Sequence, residues 1–184
     1  MKKHLTLFAI LCFVFVNAQY SKGTVFFKDS TTLEGLIKIK AFGGIKFKLN
    51  KDAEATTYNH KQISGFDVIS GNFRYVTNNT DDYVLLNELI KGKIILYSSQ
   101  VYNPGHTIPN GFAGGGAGMT YGGGSATTYS IKVNDEIIKL GTKIKKKHHQ
   151  YFNDCPVLIQ KIEEKEFKKW DIYDIVEFYN EDCN

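Results

Sequence analysis

Cysteine is scarce in this chain. Its 184 residues hold three, Cys12, Cys155 and Cys183, and the first falls inside an apolar N-terminal run. No group of cysteines and histidines has zinc-finger spacing and no His-Glu-x-x-His occurs, so no metal site is expected. Gly-x-Ser-x-Gly is absent, which removes the nucleophile elbow of the serine hydrolases. The glycine cluster between 111 and 124 lacks the lysine that a phosphate loop requires, since no lysine lies between Gln100 and Thr128. Nor does its spacing complete a dinucleotide fingerprint. Met119 follows Gly114 and Gly116, and Tyr121 follows Gly116 and Gly118, where the third glycine belongs. A charge excess is missing too. The formal net charge of +4 falls to +2 once Lys2 and Lys3 are set aside, so nucleic acid is not implied as a partner. No cofactor is expected.

What is present begins with a secretion pattern. Lys2 and Lys3 precede a nearly unbroken apolar run over 5–16, and Val16-Asn17-Ala18 ends in a small residue suited to signal peptidase. The run is short of the about 20 residues that a spanning helix needs. Residues 1–18 are therefore expected to be a signal peptide. The mature chain would start at Gln19, carry no transmembrane segment and be exported to the periplasm or the cell surface. Leu11 precedes Cys12 where a lipoprotein signal has a small residue, so no lipid anchor is expected. Cys155 and Cys183 remain, and an even pair in an exported chain is expected to form a disulfide.

Short runs of β-forming residues fill the first two thirds. Strands are expected over 23–29, 33–40, 45–49, 56–60, 63–69, 73–76, 83–89 and 93–98, with Gly43-Gly44, Gly71-Asn72 and Lys91-Gly92 as turns between them. Ile45, Phe47 and Leu49 alternate with Lys46 and Lys48, the pattern of a strand wet on one face. Residues 100–128, with Pro104, Pro109 and the glycines, read as a flexible insert. Strand pattern resumes at 129–133, turns at Asn134-Asp135 and returns over 136–140.

From Thr142 the period becomes helical: Leu140, Ile144, His148 and Phe152 are spaced by four. A helix is expected to start at Asp154, an N-cap, with Pro156 in its first turn. Another starts at Asp171, where Ile172, Ile175, Val176 and Tyr179 give the i, i+3, i+4, i+7 face. The expected fold is α+β: an antiparallel β-meander or roll, a partly open barrel, followed by a C-terminal helical hairpin. The expected organisation is a β domain over 19–140 and a helical subdomain over 141–184.

Several short motifs then stand together. Gly92-Lys93 with Leu96-Tyr97, Tyr151-Phe152 with Asp154-Cys155-Pro156, and Tyr179-Asn180 with Cys183 resemble the pattern of small exported Bacteroidota proteins of unassigned function. The resemblance spans nearly the whole mature chain and departs from the pattern at the glycine-rich insert. It implies export and a Cys155–Cys183 pair, and it carries no activity across.

The remaining chemistry-bearing groups do not form a catalytic set in sequence. Cys155 at a helix start near His148 and His149 outlines a thiol nucleophile, but no third group orients the histidine and an oxidising compartment consumes a free thiol. Adjacent helical residues point about 100° apart, so His148 and His149 do not share a metal easily. Asn78 to Asp82 resembles a calcium loop in composition alone. The carboxylate pairs Glu163-Glu164 and Glu181-Asp182 sit in solvated runs. The chain therefore reads as a non-enzymatic module of the cell envelope that binds a partner or fills a structural role. Lys143, Lys145, Lys146 and Lys147, with Tyr121 in the insert, are the candidate contacts to an envelope protein or an anionic surface. The rival readings are an envelope enzyme centred on His60, beside Asn59 and Lys61, and a secreted inhibitor or immunity-type protein.

Overall fold

The computed structural model describes residues 20–40, 43–77, 82–103, 106–108, 119–121 and 123–183; the expected signal peptide lies outside them. The fold is α+β, with ten strands in one antiparallel sheet that does not close, followed by helices. The chain forms two compact units that divide between Ser70 and Gly71.

The first unit contains β1 (Ser21–Phe27), β2 (Thr32–Ile39), β3 (Ile45–Lys48), β4 (Thr56–Tyr58) and β5 (Ile63–Val68), in the order β5-β1-β2-β3-β4. Alternation sets its inside. Ile45 and Phe47 are buried while Lys46 between them is exposed, and Ile37 sits opposite Phe47 just as Val25 sits opposite Phe66. The sheet is curled. β1 and β4 are three strand spacings apart, about 14 Å in a flat sheet. The rings of Phe27 and Tyr58 on those strands nevertheless meet edge to face at 5.1 Å. Gly35 lets the curl happen: a Cβ there would lie 2.4 Å from the Lys48 carbonyl oxygen and 2.6 Å from the Phe47 ring.

The second unit contains β6 (Gly71–Thr77), β7 (Tyr83–Ile90), β8 (Ile95–Asn103), β11 (Gly124–Val133) and β12 (Glu136–Gly141), in that spatial order. β9 (His106–Ile108) and β10 (Met119–Tyr121) pair as a small separate ladder. After β12 come a 3-10 helix (Lys146–Phe152), α1 (Pro156–Glu163) and α2 (Ile172–Asp182). Asn134 and Asp135 both take positive φ, 47° and 68°, so the two-residue β11–β12 hairpin turns as Asn and Asp tolerate. The helices have no core of their own. Leu158, Ile172, Ile175, Val176 and Tyr179 are buried in one cluster with Ile94, Leu96 and Ile131 from the sheet.

Three local expectations shift. The strands run into the stretch read as a glycine-rich insert, because β8 and β11 pair from Ile95 with Lys132 out to Asn103 with Gly124. Polar side chains hold that extension: Ser99 Oγ and Thr128 Oγ1 are 3.0 Å apart, and Gln100 Nε2 donates to Thr127 Oγ1 at 2.8 Å. Residues 104–105, 109–118 and 122 of the insert lie outside the described residues. The four-residue spacing of Leu140, Ile144, His148 and Phe152 does mark four buried side chains, yet they come from β12, an extended link and a 3-10 helix instead of one α-helix. The N-cap of α1 is Cys155, not Asp154.

Replacing Gly35 with alanine forces a methyl group into a backbone carbonyl. The first unit should lose about 1–3 kcal/mol, read as faster amide hydrogen exchange in β1–β3 with the second unit unchanged.

Candidate functional site

Residues of three short stretches, 92–97, 151–156 and 179–183, meet in the second unit. Cys155 and Cys183 are joined by a disulfide with a Cα separation of 5.5 Å, which ties the start of α1 to the end of α2. Closing a loop over a sequence separation of 28 stabilises the fold by about 3–4 kcal/mol on the chain-entropy model. Beside it, Phe152 and Tyr179 pack edge to face with centroids 5.2 Å apart. The Tyr179 hydroxyl donates to both Asp154 oxygens at 2.8 and 2.9 Å, and Lys93 Nζ reaches Asp154 Oδ2 at 2.6 Å. Lys93 also lies 4.8 Å from the Tyr179 ring centre. Asp154 is thus engaged across the fold, which is why it does not cap α1.

Electrostatics agree with that geometry. The Lys93 ammonium and then the Tyr179 hydroxyl hold the Asp154 carboxyl below the usual carboxylate range. Asp154 in turn raises Lys93. Burial, followed by the bond to Asp154, raises the Tyr179 phenol, so it stays a donor. Lys93 and Asp154 are each half-exposed, so the pair acts as a surface brace and not as a buried ion pair.

Asn180 completes the cluster. Its Oδ1 accepts the Ile94 N–H at 2.8 Å and its Nδ2 donates to the Ile94 carbonyl at 2.9 Å. One side-chain amide therefore satisfies both backbone groups of Ile94, as a neighbouring strand would. Gly92 makes room, since a Cβ there would stand 2.6 Å from Asn180 Cγ.

The residues singled out from sequence separate into different places. Cys155 is bonded to Cys183, so the thiol outlined beside His148 and His149 is not free. His148 is buried, and its Nδ1 accepts the Lys145 N–H at 3.2 Å. An accepting Nδ1 puts the proton on Nε2, and Nε2 is buried without a hydrogen-bond partner among the described residues. Burial pushes His148 below the usual histidine range, and Lys147, Lys145 and His149 add repulsion. Lys143, Lys145, Lys146 and Lys147 are exposed. Tyr121 lies in β10 opposite His106, and its side chain falls outside the described set.

Around His60, Asn59 builds the turn into β5. Its Oδ1 accepts the Lys61 N–H at 2.9 Å and its carbonyl accepts from Gln62 and Ile63. Most of the calcium-like stretch, 78–81, lies outside the described residues. Among the described residues, no three His, Cys, Asp or Glu side chains gather as a metal-binding group, and no helix is long and apolar enough to cross a membrane. The first unit carries an open groove of about 670 Å³ edged by Lys22, Thr24, Glu34, Leu36, Leu49 and Lys51. No protein-family model, curated protein or solved structure matches the chain.

Asn180→Ala leaves the Ile94 N–H and carbonyl unpaired and should cost the second unit about 1–3 kcal/mol, measured by thermal unfolding with Trp170 fluorescence. Gly92→Ala should destabilise the wild type but add little to Asn180→Ala, because the atoms it strikes are gone.

For His148, the unfolded chain takes up a proton near pH 6.5 while the folded chain resists until lower pH. Stability is therefore complete above about pH 7 and declines as pH falls through 6.5, by at most about 1.4 kcal/mol per pH unit. His148→Gln keeps an acceptor for Lys145 and does not titrate. It should flatten the melting temperature between pH 7.5 and 5.5; a wild type already flat in that window would remove His148 from the account.

Proposed function

We propose that the chain is an exported, non-enzymatic module of the cell envelope that binds a partner through its exposed lysine run. The observation that carries the reading is the Cys155–Cys183 disulfide. Such bonds persist in oxidising compartments and are rare where thiols are kept reduced. The secretion pattern of residues 1–18 points to the same place. Lys143, Lys145, Lys146 and Lys147 support binding to an anionic partner, as all four are exposed and the run from 143 to 153 holds no carboxylate. The shared motifs with small exported Bacteroidota proteins support a common framework, because those residues build the clamp of the second unit rather than a reactive centre.

The groove of the first unit supports a second binding reading. Its volume is within the roughly 300–1,000 Å³ of small-molecule sites. Its rim mixes the ammonium groups of Lys22 and Lys51 and the carboxylate of Glu34 with the aliphatic Leu36 and Leu49. That combination suits a small amphiphile with polar groups of either sign.

The test is carried out in cells. The N-terminus should begin at Gln19, the protein should fractionate with the envelope, and both thiols should resist alkylation until reduced. A cytosolic chain with free thiols overturns the reading. Alanine at all four lysines should release the protein from its envelope partner with stability within about 0.5 kcal/mol of wild type, as for ordinary surface changes.

A further inference from the structure

The lysine run does not act alone in the folded chain. The Ile144 N–H donates to the Lys169 carbonyl at 2.7 Å, which fixes the link before the 3-10 helix against the segment that precedes α2. Ile144 is buried, and the backbone is extended at Lys145, with φ −117° and ψ 160°. Alternation along an extended chain then turns Lys143 and Lys145 away from the core. Lys146 and Lys147 are exposed just beyond them, and Lys168 and Lys169 are exposed on the partner segment. Trp170 follows, 58% exposed, with Lys169 Nζ 5.8 Å from its ring centre. Six ammonium groups and an uncovered indole therefore belong to two segments joined by one backbone bond.

We propose that these two segments form a single surface that docks on a layer of anionic lipid headgroups, with Trp170 entering the layer. The inference rests on the reading of the 143–147 run as a binding face and names the class of its partner. Indole rings settle at headgroup depth because one edge is apolar and the N–H is wet, and lysine stems lie along apolar surface while their heads reach phosphate. A hydrophilic polyanion offers the lysines as much charge but gives Trp170 no apolar layer to enter. The acidic groups nearby set the limit of the surface. Before Lys168, Glu163, Glu164 and Glu166 are exposed, with Glu166 paired to Lys161, and Asp171 Oδ2 accepts the Lys168 N–H. Asp174, Glu177 and Glu181 surround Tyr173 further along α2, so the contact ends at Trp170.

Trp170 is the sole tryptophan and reports on the surface directly. The purified protein is titrated with vesicles of phosphatidylglycerol in phosphatidylcholine, and separately with pure phosphatidylcholine, heparin and a single-stranded oligonucleotide. The expected result is a blue shift and cosedimentation with the phosphatidylglycerol vesicles alone, weakened by added salt. Lys168→Ala/Lys169→Ala should weaken binding roughly thirtyfold, as should Lys145→Ala/Lys146→Ala. Equal binding to pure phosphatidylcholine overturns the proposal, and so does binding to the soluble polyanions without a vesicle-induced shift. Wild-type affinity in Lys168→Ala/Lys169→Ala overturns the two-segment surface while leaving the 143–147 face standing. Envelope release by the four-alanine variant with no vesicle affinity overturns the lipid assignment and keeps the broader reading.

Discussion

Helices of eight and eleven residues do not persist alone in water, because the cost of their first turn is not recovered over so few hydrogen bonds. The second unit is built around that constraint. α1 and α2 hold their shape by burying Leu158, Ile172, Ile175, Val176 and Tyr179 against Ile94, Leu96 and Ile131. The disulfide removes the freedom of the ends to separate, and Asn180 removes the unpaired backbone at Ile94. Take away the sheet, and neither the disulfide nor the Asp154 brace has anything to hold in register.

This arrangement explains why so much chemistry-bearing material is structurally committed. Asp154, Lys93, Tyr179, Asn180 and both cysteines serve one clamp. His148 spends its Nδ1 on the backbone of Lys145. Lys143, Lys145, Lys146, Lys147 and Trp170 are exposed outside that clamp. In the first unit the curled sheet leaves a groove whose rim carries both charge signs beside aliphatic side chains.

The legible parts of the sequence were those whose signal is local. The 3.6-residue spacing of Ile172, Ile175, Val176 and Tyr179 names the buried face of α2 without error, because helix geometry alone decides it. Alternation of Ile45 and Phe47 with lysines did the same for β3. The cysteine pair was legible because Cys12 falls in the apolar N-terminal run, which leaves Cys155 and Cys183 for each other. Asp154 was not legible as a brace: a carboxylate at a helix start fits a cap equally well, and Lys93 lies 61 residues away. The outer half of the β8–β11 ladder was hidden by its composition, since Gln100, Thr127 and Thr128 read as loop until they face the opposite strand. Leu140, Ile144, His148 and Phe152 show the opposite failure, a true burial period spread over three kinds of backbone.

The bond between Asn180 and Ile94 spans 86 residues, and that distance is also a delay. The pairings of the first unit are complete within residues 21–68. At about 5–20 residues per second, roughly 4–17 seconds separate the emergence of Ile94 from that of Asn180. During that interval the first unit can already be folded while the bend before β8 has no partner for its amide and carbonyl. The apolar surface of Ile94 and Leu96 waits with it, uncovered. Pairing between neighbouring strands can thus come early, whereas the cover over Ile94 and Leu96 has to wait for α2.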